Sequence, residues 1–171
     1  MSEFKKTRWK PGMVFAIPIG EGKFGIAQAI DSVMVNIIYI AVFSDLYDVI
    51  PEKIERLDKG NVISLYATWK QDLNNGTWAK VAILPPIVAK SDFPNEKFAS
   101  SGYAGAKHSS AGLFNEFLAA YHGFVPWNVM ADEDYWDSYL NAGKSRPDNV
   151  ILLTKAQRME YRSSVMGISD A

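Results

Sequence analysis

Residues 13–43, MVFAIPIGEGKFGIAQAIDSVMVNIIYIAVF, decide the fold. The run 13–19 (MVFAIPI) is a short apolar strand candidate, the Gly20–Gly22 stretch supplies a turn, and residues 24–30 (FGIAQAI) follow as the natural hairpin partner. Residues 33–43 (VMVNIIYIAVF) are rich in β-branched and aromatic side chains without alternation. That pattern predicts one strand buried on both faces, and so a central one. Pro18 has no N–H to donate, which puts the first strand at a sheet edge or makes Pro18 its end.

Working outward, the acidic stretch 45–58 contains PEKIERL at 51–57, a short helix pattern with Pro51 in its first turn and Gly60 beyond its end. Residues 62–69 and 78–84 read as two more strands joined through 72–76, where Asn75-Gly76 is a strong hairpin signal; Pro85-Pro86 stops the second. Residues 91–112 are dense in Gly, Ser and Ala with no sustained period, and read as a long loop. Leu113, Phe117, Ala120 and Tyr121 share a helical spacing over 113–122, with Gly123 closing the helix. A second helix is expected over 132–140, opened by carboxylates that suit the positive end of a helix dipole and ended by Gly143. Residues 149–153 read as a last strand and 155–166 as a polar helix or frayed tail. The expectation is therefore an α+β chain: a twisted, mostly antiparallel sheet in the first half, open to SH3-like or barrel-like closure, with packed helices in the second half. It forms a single domain over 1–171, with 1–9 an N-terminal arm and 155–171 a polar C-terminal helix or tail.

Composition narrows the function. A chain of 171 residues that is 48% hydrophobic can bury most of its unfolded surface in one core. Lys plus Arg (18) nearly balance Asp plus Glu (19), which argues against a polyelectrolyte nucleic-acid binder. Without cysteine there is no disulfide framework, thiolate nucleophile or Cys-based zinc site, which fits a reducing, cytoplasmic setting. No apolar run approaches the roughly 18 residues of a membrane span, so no membrane partner is expected.

Catalytic raw material is thin. His108 and His122 are the only histidines, and their spacing matches no zinc pattern; His122 reads as a residue complementing a helix C-terminus. The loop 102–110 has the Gly, Lys and Ser of a phosphate loop but not its spacing, because Lys107 follows Ala106 and precedes His108; Ser109 or Ser110 is instead a helix-capping candidate. No enzyme activity and no cofactor are expected. The most suggestive surface combines Asp132, Glu133, Asp134 and Asp137 with Tyr135, Trp136 and Tyr139. Carboxylates on one helical turn offer no opposed acid and base across a substrate, but they could receive a basic partner, with Asp132, Glu133, Asp134, Trp136 and Asp137 as the contact set.

Residues 10–19 (KPGMVFAIPI), then Gly22-Lys23-Phe24-Gly25 with Gln28, and later Pro126-Trp127-Asn128 and Arg146-Pro147-Asp148-Asn149-Val150, resemble the bacterial immunity protein 26 family. Met13 departs from the family pattern, which has an acidic residue there. The resemblance implies an antidote to a toxin of a polymorphic toxin system, in many cases a nuclease with a basic active-site groove, acting by direct binding. Two other readings come from other classes. The Pro-Gly-x-Val-Phe opening also looks like SH3-like-barrel endoribonuclease toxins, and Lys5, Lys6, Arg8, Trp9 and Lys10 could form an RNA-binding module.

Overall fold

A computed structural model describes residues 6–169; the first five residues of the arm, Lys5 among them, and residues 170–171 of the tail lie outside the described residues. The expected hairpin forms from β1 (Met13–Gly20) and β2 (Lys23–Met34), which pair antiparallel across a turn whose Gly20, Glu21 and Gly22 all have positive φ. With β3 (Ile37–Phe43), β4 (Val62–Trp69) and β5 (Ala79–Ile83) they build a five-stranded antiparallel sheet in the order β4-β3-β2-β1-β5. The α+β expectation holds: the sheet occupies the first half and the helices α2 (Ala111–Tyr121) and α3 (Lys155–Ser164) the second. The sheet does not close into a barrel, because β4 and β5 lie at opposite edges and never meet.

Several local expectations are corrected. Residues 33–43 are not one strand: β2 ends at Met34, Val35 and Asn36 turn the chain, and only β3 has all seven residues buried. Val35 is 86% exposed, so an apolar residue at a hairpin tip disguised the turn. The central strand is β2. The Asn75-Gly76 turn does not join paired neighbours. It follows the single-turn helix α1 (Lys70–Asn74) and sends the chain across to the far edge, where β5 pairs with β1. β1 is therefore an inner strand; its pairing with β5 stops at Ala16, which leaves Pro18 beyond the rungs that would need its N–H.

Both faces of the sheet are buried, and by different means. Phe15, Ile17, Ile38, Ile40 and Val42 pack under α2 and the chain that follows it. Val14, Ile26, Tyr39, Ala41 and Phe43 lie on the other side, under Ile54, Val88 and Phe93. That cover is irregular chain. Residues 51–57 form no helix; they are irregular chain whose Ile54 is buried against the sheet. Residues 91–112 contain 3₁₀ turns at Lys90–Asp92 and Pro94–Ser101, the second closed by Gly102 in the left-handed region, rather than featureless loop. Ser110 stands at the start of α2 but its hydroxyl makes no cap, and Asp72 of α1 accepts the Ala111 N–H at 3.1 Å instead. Residues 149–153 contribute one parallel bridge, Pro126 to Ile151. α3 is a regular helix opened by a Thr154–Gln157 capping box.

One buried polar residue ties the sheet to its loop cover. Gln28, fully buried on β2, donates its amide to the Leu84 carbonyl at 3.0 Å and the Pro85 carbonyl at 3.2 Å, while its oxygen accepts the Ile87 N–H at 2.9 Å. Leu84 also donates its N–H to the Gly12 carbonyl at 3.0 Å, so the exit of β5 and the entry of β1 are knotted together. Replacing Gln28 by Leu removes the partner that these part-buried peptide groups share, and a buried group left unsatisfied costs about 1–3 kcal/mol. Gln28→Leu should lower the urea midpoint by an amount equal to roughly 2–4 kcal/mol, with an unchanged slope; a midpoint within error of the parent would contradict this role.

Candidate interaction site

Residues 132–139 sit on the densest aromatic packing in the protein. They form not an α-helix but an Asx turn, in which Asp132 Oδ1 accepts the Asp134 N–H at 2.9 Å, followed by a 3₁₀ turn over Tyr135–Tyr139. Three residues per turn puts Trp136 and Tyr139 on one side, and both are buried. Trp136 meets Phe117 of α2 at 5.9 Å and Tyr139 at 5.1 Å between ring centroids, and Tyr139 stacks on Tyr66 of β4 at 4.6 Å, within 4° of parallel. The Tyr139 hydroxyl bonds Ser109 Oγ at 2.7 Å and the Tyr135 hydroxyl at 3.1 Å. Burial pushes the Tyr139 phenol well above its usual range, so it stays protonated and able to donate.

This geometry divides the expected contact set. Trp136, 2% exposed, belongs to the core and cannot meet a partner without unfolding its surroundings; that expectation is corrected. Asp132, Glu133 and Asp134 are exposed, and Asp137 is half-buried. Glu133 pairs with Arg158 of α3 at 2.8 Å, and Asp137 lies 3.9 Å from Arg146. Arg158 also donates to the Met130 carbonyl at 2.8 Å and to the Asn128 carbonyl, which fastens α3 to the base of the acidic ridge. Asp132 and Asp134 have no ion pair among the described residues, and they carry the uncompensated charge. Nowhere among the described residues do three His, Asp or Glu side chains converge as metal ligands would.

The other candidates are placed apart from the ridge. His108 is exposed and edge-on to Trp69 at 4.7 Å. His122 follows α2 with its Nε2 buried and without a hydrogen-bond partner. Burial lowers its pKa and favours the neutral ring, not the cation that would complement a helix C-terminus. The basic arm is tied down from Thr7 onward: Thr7 donates its N–H to the Asn74 carbonyl at 3.2 Å, Trp9 donates its N–H to Asn74 Oδ1 at 2.6 Å, and the Trp9 ring packs on the core. Sequence reasoning missed a small cavity beside the ridge, between β4, Lys97, Phe98 and Lys107, because its lining comes from three distant stretches of chain.

A neutral buried histidine makes stability depend on pH in one direction. The unfolded chain binds a proton near pH 6.5 while folded His122 resists it, so the unfolded state binds more protons and stability falls as pH drops through about 6.5, ceasing to fall below the folded-state pKa. His122→Leu should lose less stability than the parent between pH 7 and pH 5 in urea titrations; parallel losses would show that His122 is not held neutral. Comparison with protein-family models, with curated proteins and with solved structures finds no match for this chain.

Proposed function

We propose that this chain is an immunity protein that neutralises a cognate bacterial toxin, a nuclease with a basic groove, by direct protein–protein binding. The observation that carries the reading is the acidic ridge of Asp132, Glu133 and Asp134, exposed and followed directly by Trp136 and Tyr139, which are buried in the core. A nuclease groove selects for phosphates, and carboxylates held in a fixed array present the same sign of charge at little ordering cost. The SH3-like nuclease reading has less support, since the sheet is open, His108 lies edge-on to Trp69, and His122 Nε2 is buried without a hydrogen-bond partner among the described residues. A free basic arm for RNA has less support as well, since Trp9 is packed on the core.

The test is a stopped-flow and equilibrium titration against the toxin encoded beside this gene. Asp132 and Asp134 are the residues to reverse, because Glu133 and Asp137 already face arginines. Asp132→Lys with Asp134→Lys should leave folding stability within about 0.5 kcal/mol of the parent. The same variant should slow association about tenfold or more at low salt, with the difference shrinking as salt is raised. Equal on-rates at low salt would remove the ridge from the interface, and failure of the unaltered protein to bind or inhibit the toxin would remove the antidote reading itself.

A further inference from the structure

The edge strand β4 is covered at two points and open between them. Its register with β3, together with the Lys70 N–H to Asn36 carbonyl bond that begins the ladder, turns the peptide groups of Leu65 and Ala67 away from the sheet. Asn141 closes one end by donating its N–H to the Ile63 carbonyl at 2.7 Å, and Ser109 closes the other by donating to the Ala67 carbonyl at 2.9 Å in a parallel bridge. A strand continuing backward from Ser109 would bring Lys107 opposite Tyr66, with its N–H on the Leu65 carbonyl and its carbonyl on the Ala67 N–H. Asn95 prevents this: its side chain accepts the Lys107 N–H at 3.2 Å and donates to the Lys107 carbonyl, taking both peptide groups that β4 would otherwise use. Among the described residues the Leu65 carbonyl and the Ala67 N–H are left with no partner from outside the sheet, and Leu65 lines a cavity of about 230 Å³.

The chemistry of that cavity is specific. Lys97 and Lys107 line it, and among the described residues neither ammonium has a carboxylate partner. Lys97 is held over the Phe98 ring, 4.9 Å from its centroid. Tyr66 and Phe98 supply apolar wall, and no acidic side chain lines the space. Its volume is below the about 300–1,000 Å³ of sites for drug-sized ligands, which suits one or two residues of an extended chain.

We propose that this cavity is a seat for the carboxylate end of an extended peptide. The peptide adds one rung to β4 on the Leu65 carbonyl and the Ala67 N–H, its terminal carboxylate lies between Lys97 and Lys107, and its last side chain rests on Tyr66 and Phe98. The site goes beyond the antidote reading, uses none of the ridge acids, and stands or falls without it.

Titration of the full chain with N-acetyl-glycyl-leucine, followed by amide NMR, tests the seat. Saturable shifts are expected at Leu65 and Ala67, with the C-terminal amide of the same peptide binding about tenfold weaker or worse. Lys97→Gln with Lys107→Gln should show a similar loss for the acid and little change for the amide. No saturable shift up to about 10 mM, where even a millimolar site would be largely filled, overturns the proposal. So does equal binding of acid and amide, and so does acetate alone reproducing the full response, which would leave only an anion site.

Discussion

Phe117 packs against Trp127, Trp136 and Tyr139, and these contacts fix how the second half of the chain sits on the sheet. There α2, lying on one face of the sheet, meets the last third of the chain, and the ring centroids lie 5.5–6.0 Å apart. Truncating an aromatic at such a site costs about 3–5 kcal/mol. The acidic ridge is therefore positioned by what lies beneath it, with Arg158 fastening its base to α3 through Glu133 and the Met130 and Asn128 carbonyls.

A sheet buried on both faces imposes a second constraint. One face takes helix α2, while the other must be covered by chain whose own peptide groups need partners. Gln28 meets that need from within the sheet, bonding the loop after β5. Tyr39 does the same by stacking on Phe93 and donating its hydroxyl to Glu96 at 2.8 Å. These bonds hold residues 84–98 in irregular but fixed paths. The same path brings Asn95, Lys97 and Phe98 to the edge of β4, so the covering of one face and the opening on the edge have a common origin.

The parts of the fold legible in the sequence were those specified by neighbours along the chain. The hairpin over residues 13–30 carries its strands and its glycine turn within one short window, and α2 shows its apolar spacing directly. Other features depended on contacts no window contains. Asn75-Gly76 has the chemistry of a hairpin turn, but which strand receives β5 is decided by the free edge of β1. Val35 is apolar at a turn tip and hid the boundary between β2 and β3. At the candidate site, the acids Asp132, Glu133 and Asp134 are recognisable as exposed charge, whereas the burial of Trp136 follows from a 3₁₀ turn where the sequence pattern predicts an α-helix. The unpaired rung between Leu65 and Ala67 had no sequence signal, because it arises from Asn95 capturing Lys107 across twelve residues.

The ridge of Asp132, Glu133 and Asp134 above the buried Trp136 and Tyr139 is the surface proposed to meet a partner. Hydrogen exchange of the whole protein, alone and in complex with the toxin that the proposed antidote role requires, separates this surface from the others. Binding should slow exchange at residues 131–138 and leave α3's exposed face and the β5 edge unchanged. Protection confined to those other surfaces, with residues 131–138 exchanging at their free rate in a saturated complex, would contradict it.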